Sequence, residues 1–127
     1  MRHRPDVSAL AGVPLFAPYR ARELAPLARH ADRLPVAPGT VLARQGARAR
    51  EVVVILAGDA ALVRDGTEIG RLGPGSVVGA REELAGDTHA ASVVAGGGTS
   101  VLVLAGPAFR WAVRSLPGLA LPGALAA

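Results

Sequence analysis

The 127 residues are enough for one domain, residues 1–127, and the absence of cysteine excludes disulfides, thiolate metal sites and thiol catalysis. All 14 basic residues are arginine and the net charge is +4, but the arginines are scattered without an aromatic platform or a recognition helix, which argues against specific DNA binding by the chain alone. No apolar run reaches the roughly 20 residues of a membrane helix, so we expect no membrane association and a cytoplasmic location.

The first 31 residues predict an N-terminal helical segment. Residues 7–11 are apolar and suffice for about one helical turn. Three apolar residues recur at helical spacing in the stretch that follows: Leu24, Leu27 and Ala28. Pro26 lies inside this second pattern and is expected to kink the helix or restart it, because proline lacks the backbone N–H that an inner helical position uses.

From residue 32 to residue 105 the pattern changes to short runs rich in β-branched residues, separated by glycine and proline turns. The predicted strands are 33–36, 40–44, 51–57, 60–64, 67–72, 76–78, 89–95 and 100–105. Eight short strands with this punctuation favour a mainly β fold with flanking helices, of the jelly-roll or double-stranded β-helix type, which we call a β-roll.

The last part of the chain predicts a C-terminal helix over 106–118 and a tail over 119–127. Pro107 suits the start of a helix, and the Pro117-Gly118 pair ends it. A second Pro-Gly pair within the tail argues against a long helix there. The apolar tail residues Leu119, Leu121 and Leu125 predict contact with a protein partner or with a second copy of the chain.

The most informative stretch is 72–95, in which a strand between two glycine turns is followed by a short predicted helix over 80–84 and a second strand. Gly79 stands where the chain must bend sharply, since glycine tolerates positive φ at little cost. The helix that follows has carboxylates in its first turns, and such a helix start is suited to an anion.

This stretch resembles the phosphate-binding cassette of the cyclic nucleotide-binding domain, a β-roll module shared by bacterial catabolite-activator-type regulators, cyclic-nucleotide-dependent kinases and gated channels. The positions that match without gaps are Gly79, Leu84, Gly86, Ala90, Ala91, Ser92 and Val93. The resemblance implies a regulatory signalling module with a cAMP-like ligand. The candidate ligand-binding residues that it implies are Gly79, Ala80, Arg81, Glu82, His89, Ala90 and Ala91.

Two positions depart from the family pattern. The family's glutamate, which accepts a hydrogen bond from the ribose 2′-hydroxyl, falls on Ala80, and its arginine, which pairs with the cyclic phosphate, falls on His89. Each lost contact is expected to cost about 1.5 to 3 kcal/mol of binding free energy, which disfavours ordinary cAMP sensing. A protonated His89, or Arg81 turned inward, would act as a substitute cation.

Two hypotheses for the function remain open. The first is a non-catalytic sensor whose ligand, a cyclic nucleotide or another small anion, is bound by altered chemistry. The second is a protein-interaction module that has kept the β-roll and lost the ligand. The family usually continues into a long dimerising helix and a DNA-binding unit, neither of which the tail predicts. The three histidines lie too far apart for the cupin metal site, and no serine stands in a nucleophile elbow, so we expect neither an enzyme nor a metal centre.

Overall fold

The structure, a computed structural model, describes residues 7–116, 118 and 119, with eight strands and four helices. The strands are β1 (Ala31–Val36), β2 (Val41–Ala43), β3 (Glu51–Ala57), β4 (Ala60–Arg64), β5 (Thr67–Leu72), β6 (Val77–Val78), β7 (Ser92–Ala95) and β8 (Thr99–Ala105). The helices are α1 (Val7–Ala11), α2 (Ala21–Ala28), α3 (Ala80–Ala85) and α4 (Gly106–Ser115).

The strands form two antiparallel sheets of four strands each. One sheet has the order β1-β8-β3-β6 and the other the order β2-β7-β4-β5. Strands that are distant in sequence therefore pair, as β1 does over its whole length with β8. The expectation of a mainly β roll with flanking helices is confirmed.

Strand β3, inside the first sheet, is buried on both of its faces. Its run of β-branched residues favours an extended backbone, and successive side chains of a strand point to opposite faces. Val52 and Val54 pack on the helix side, whereas Val53 and Ile55 face the second sheet. All four are buried, so the strand is apolar without the alternation that a half-exposed strand shows.

Two hydrophobic clusters follow from this arrangement. The helix-side cluster consists of Leu10, Val13, Leu15, Phe16, Leu24, Leu27, Ala28, Ala31, Val52, Val54, Val77, Ala80, Leu102, Leu104, Phe109, Ala112 and Leu116. The intersheet cluster consists of Ala43, Val53, Ile55, Ala60, Val78, Val93 and Val101. The first sheet therefore separates a core made with the helices from a core made with the other sheet.

Helix α2 continues through Pro26, so the expected restart of the helix at this residue is wrong. The proline removes one backbone hydrogen bond and costs about 3 kcal/mol in a helix interior. Leu24 and Leu27 are both fully buried, and burying such a side chain contributes about 1.5 to 3 kcal/mol. Tertiary packing of the apolar face thus offsets the local cost, and the helix ends only two residues after Pro26.

The predicted element boundaries differ from the observed ones around His89 and at the C-terminal helix, which ends at Ser115 rather than at residue 118. The strand predicted over 89–95 begins only at Ser92, because the preceding residues form bends and an isolated bridge, Arg48 to Thr88, with the loop before β3. The short helix predicted over 80–84 is confirmed as α3, one residue longer. Leu121 and Leu125, on which the predicted partner contact of the tail depends, lie outside the described residues.

Candidate ligand site

A cavity of about 360 Å³ lies beside His89, between the second strand, the loop that follows it, and strands β3 and β6. We call it the barrel cavity. Its lining residues are Val41, Leu42, Ala43, Arg44, Ala47, Arg48, Arg50, Glu51, Val53, Val78 and His89. Its size is within the range of small-molecule sites, and it combines an apolar wall with several charged groups.

Gly79 allows the start of α3 to approach the wall of this cavity. It precedes the helix with φ of 88°, in the left-handed region that favours glycine. A Cβ atom at this position would lie 2.9 Å from the carbonyl oxygen of Glu51 and 3.2 Å from Cε1 of His89. Any side chain here would therefore push His89 and β3 away from the cassette.

His89 is held in place by the backbone rather than by its side chain. Its N–H donates to the carbonyl oxygen of Ala47 at 2.9 Å, and its carbonyl oxygen accepts from the N–H of Gly46 at 2.8 Å. The loop after β2 is thereby fixed against the cassette. The imidazole is 7% exposed and lines the barrel cavity, so the ring has a defined position at the wall of the site.

The imidazole of His89 faces the carboxylate of Glu82. Nδ1 of His89 lies 3.7 Å from Oε2 of Glu82, and the two side chains are 7% and 12% exposed. The distance is too long for a hydrogen bond, and neither atom has a hydrogen-bond partner among the described residues. Burial raises the pKa of Glu82, while the nearby His89 and Arg81 act in the opposite direction.

The adjacent carboxylate, Glu83, has a different environment. Its side chain is 5% exposed and forms an ion pair with Arg110 of α4, whose guanidinium donates to Oε1. The carboxylate also lies over Gly106, where a Cβ atom would come within 2.3 Å of Oε1. Helix α3 is thus joined to the start of α4 through a charged contact that needs a glycine beneath it.

The structure brings together three of the seven residues singled out by the sequence: Gly79, Glu82 and His89. The others lie elsewhere on the cassette. Ala80 is fully buried in the helix-side cluster and does not line the barrel cavity, and Ala91 is also fully buried. Arg81 and Ala90 are exposed, so the inward turn of Arg81 stays a prediction.

Sequence reasoning missed the arginines of the loop between β2 and β3. Arg44, Arg48 and Arg50 all line the barrel cavity, yet the even spread of arginine along the chain made them look like surface residues. The available signal was local density, since three arginines occur within seven residues just before a buried strand. The three arginines make the charged part of the lining mainly cationic, and Glu51 is the acidic residue within it.

The described part of the chain contains neither a candidate metal centre nor a helix that could span a membrane. No group of three histidine or acidic side chains that would hold a metal ion occurs among residues 7–116, 118 and 119. Within the same residues, none of the helices has the length and apolarity required to cross a bilayer.

Comparison with known proteins agrees with this geometry. The family model described as the cyclic nucleotide-binding domain matches residues 33–115, whereas no curated protein matches the chain. A mutant cAMP-binding acyltransferase from Mycobacterium smegmatis is 30% identical, with a TM-score of 0.75 over 90% of this chain and 37% of its own. A cyclic nucleotide-binding-like protein from Brucella abortus is 29% identical, with a TM-score of 0.71 over 86% of this chain and 97% of its own.

A third similar structure is the regulatory subunit of a cAMP-independent protein kinase A from Trypanosoma brucei. It is 24% identical, with a TM-score of 0.71 over 84% of this chain and 40% of its own, and thus shares the fold. The chain therefore spans about two-fifths of the acyltransferase and of the kinase subunit. The family match covers more than half of the chain and includes all of α3, the barrel cavity and His89. The protein belongs to the cyclic nucleotide-binding domain family.

Proposed function

We propose that the chain is a non-catalytic sensor module whose barrel cavity binds cyclic mononucleotides only weakly. The observation that carries the proposal is His89, which lines the cavity where the resemblance expects the phosphate-binding arginine. In this role the module transmits the state of its cavity to a protein partner or to a second copy in the cytoplasm.

The orientation of His89 supports weak binding. Nδ1 faces the carboxylate of Glu82, which leaves Nε2 as the ring nitrogen available to a ligand. If Nδ1 carries the proton of a neutral imidazole, Nε2 is an acceptor and repels a phosphate oxygen. Only a ring that carries a proton on both nitrogens would face Glu82 with Nδ1–H and donate from Nε2 to a phosphate oxygen at the same time.

The ribose side of the site lacks its carboxylate as well. Ala80 is fully buried against apolar side chains, so no hydrogen bond to a 2′-hydroxyl comes from this position. Loss of two charge-assisted contacts corresponds to about 3 to 6 kcal/mol, which turns a micromolar site into a sub-millimolar or weaker one. The cationic wall formed by Arg44, Arg48 and Arg50 supports retention of an anionic ligand.

The alternative function, a protein-interaction module without a ligand, is favoured by one observation. Leu84 of α3 is 41% exposed although it stands on the helix beside the site. A protein partner that covered α3 would remove this apolar side chain from water. This alternative predicts that no cyclic nucleotide binds, whatever residue occupies position 89.

The test is calorimetric titration of cAMP into the unmodified chain and into His89→Arg. A guanidinium at the cavity wall should add a charge-assisted contact with the phosphate and tighten binding about tenfold or more. The matched control is His30→Arg, the same substitution at an exposed histidine outside the barrel cavity, which should leave the affinity unchanged. Micromolar binding by the unmodified chain would contradict the proposal, and absence of binding by His89→Arg would favour the alternative.

A further inference from the structure

A second cavity, of about 350 Å³, adjoins the barrel cavity. Its charged lining comes from the loop before β3, from α3 and from α4: Arg48, Arg50, Glu83 and Arg110. We call it the arginine cavity. It lies next to the charged contact between α3 and α4, and His89 is not part of its lining.

The charges of the arginine cavity are unequal. Glu83, its carboxylate, is paired with one nitrogen of Arg110, Nη1, which leaves the other N–H groups of this guanidinium without an acceptor among the described residues. Arg48 and Arg50 are exposed, and neither has a carboxylate partner within 4.0 Å among the described residues. Two unpaired guanidinium groups beside one neutralised ion pair leave a local excess of positive charge. Guanidinium forks match phosphate oxygens in geometry as well as in charge.

Arg48 is positioned by its surroundings. Its backbone forms an antiparallel bridge with Thr88, which ties it to the cassette. Its Nη2 lies 3.3 Å from the place where a Cβ atom of residue 86 would stand, and Gly86 ends α3 with φ of 67°. The glycine thus leaves room for the guanidinium beside the helix end, where a cation is favoured by the backbone carbonyl groups.

The two cavities share a wall. Arg48 and Arg50 line both of them, Arg44 and His89 line only the barrel cavity, and Arg110 lines only the arginine cavity. An anionic group in the barrel cavity would therefore lie near Arg44, and one in the arginine cavity near Arg110. Both groups would lie near Arg48 and Arg50. A cyclic mononucleotide has a single phosphate and satisfies one side only.

We infer that the ligand of this protein carries two phosphate groups, one in the barrel cavity and one in the arginine cavity, as in a cyclic dinucleotide. The inference rests on the proposed function, because it assumes that the barrel cavity accepts a cyclic nucleotide. It adds the ligand class and a second phosphate site formed by Arg48, Arg50 and Arg110.

The test compares cyclic di-GMP with cAMP by calorimetry on the full chain at one fixed salt concentration, because screening changes all such contacts. Arg110→Lys keeps a cation for Glu83 and removes the guanidinium fork, so it addresses the arginine cavity alone. Arg48→Gln removes an exposed and unpaired cation without threat to the fold. The matched control is Arg33→Gln, an exposed arginine of β1 outside both cavities.

We expect cyclic di-GMP to bind at least tenfold more tightly than cAMP. Arg110→Lys and Arg48→Gln should each weaken cyclic di-GMP about tenfold, Arg110→Lys should leave cAMP unchanged, and Arg33→Gln should change neither ligand by more than about twofold. Binding of cyclic di-GMP without detectable cAMP binding would also support the second phosphate site, and would correct the proposed function to a dinucleotide sensor.

Three results would overturn the inference. Binding of cAMP that is as tight as that of cyclic di-GMP would exclude a second phosphate contact while leaving the proposed function intact. Equal weakening of cyclic di-GMP by Arg33→Gln and by the cavity variants would show that only overall charge matters. Absence of binding by both nucleotides would contradict the proposed function and, with it, the inference.

Discussion

The two neighbouring carboxylates of α3 lie in contrasting regions of the molecule. At the junction with α4, Glu83 is buried and paired with Arg110. On the side of the barrel cavity, Glu82 is also largely buried, but it faces an imidazole at 3.7 Å without a hydrogen bond. Glu83 thus has a cationic partner within the protein, whereas Oε2 of Glu82 has no hydrogen-bond partner among the described residues.

We therefore assign a structural role to Glu83 and a role at the ligand site to Glu82, although the two are neighbours in one turn of α3. Buried polar groups in folded proteins are nearly always hydrogen-bonded, so an unsatisfied pair is an exception that needs a reason. The α3 to α4 junction holds the fold together and should be sensitive to any loss of contact. The pair formed by Glu82 and His89 lacks a hydrogen bond within the described residues, and its histidine lines the cavity where we place the ligand.

The largest expected effect is at the junction. Arg110→Ala leaves the carboxylate of Glu83 buried without a cation and should lower the free energy of unfolding by about 2 to 3 kcal/mol, since the exposed part of the arginine moderates the loss. Urea denaturation measures the change. Arg114→Ala, at an exposed arginine of the same helix, should stay within about 0.5 kcal/mol of the unmodified chain. If Arg110→Ala and Arg114→Ala lower the free energy of unfolding equally, the contact between Arg110 and Glu83 does not stabilise the fold.

A slightly smaller effect is expected at the glycine beneath the ion pair. Gly106→Ala would place a methyl group against the carboxylate of Glu83, whose end must then shift together with Arg110. We expect a loss of about 1 to 2 kcal/mol in the same assay. Gly97→Ala is the control, because nothing lies within 4 Å of the added atom there. If Gly106→Ala is as stable as Gly97→Ala, the carboxylate of Glu83 does not lie against Gly106 as described.

The smallest effect is expected at the cavity side of α3, and its sign is opposite. Because burial raises the pKa of Glu82 above its ordinary value of 4.5, the folded state holds this proton more tightly than the unfolded state does. Stability from this group is present below pH 4.5 and is lost as the pH rises through the folded pKa. Glu82→Gln removes the charge and should therefore stabilise the protein by about 1 kcal/mol at pH 7.

The advantage of Glu82→Gln should vanish in acid, where both side chains are neutral. Thermal melting between pH 4 and pH 8 follows the difference, and Glu51→Gln provides the same chemical change at an exposed carboxylate, with little expected effect. A destabilising Glu82→Gln at pH 7 would mean that the charged carboxylate and His89 stabilise each other. Glu82 would then be stabilised by His89 much as Glu83 is stabilised by Arg110.

The sequence predicted the strands well because each of them carries its own local signal. The run of β-branched residues in β3 and the turn pairs around β4 need no knowledge of distant contacts. Helix α2 shows the limit of local signals, since Pro26 is accommodated only through burial of Leu24 and Leu27 against residues far along the chain. The stabilisation that comes from burying Leu24 and Leu27 cannot be inferred from the spacing of residues within α2.

The site was predicted only in part, for the same reason. Glycine at position 79 and histidine at position 89 were found through their place in the cassette, and the structure brings them into contact distance. The burial of Ala80 in the helix-side cluster, the pairing of Glu83 with Arg110, and the cationic wall from the loop before β3 all depend on tertiary packing. Residue type and spacing alone gave no means to distinguish a surface arginine from one that lines a cavity.

The dissociation constant of cAMP for the unmodified chain, at pH 7 and 25 °C, shows directly whether His89 turns a cyclic-nucleotide pocket into a weak mononucleotide site. With both charge-assisted contacts absent, we expect a value of roughly 0.1 mM or weaker. A value of about 1 μM or tighter would contradict it, because the cavity would then bind the phosphate without the guanidinium that His89 replaces.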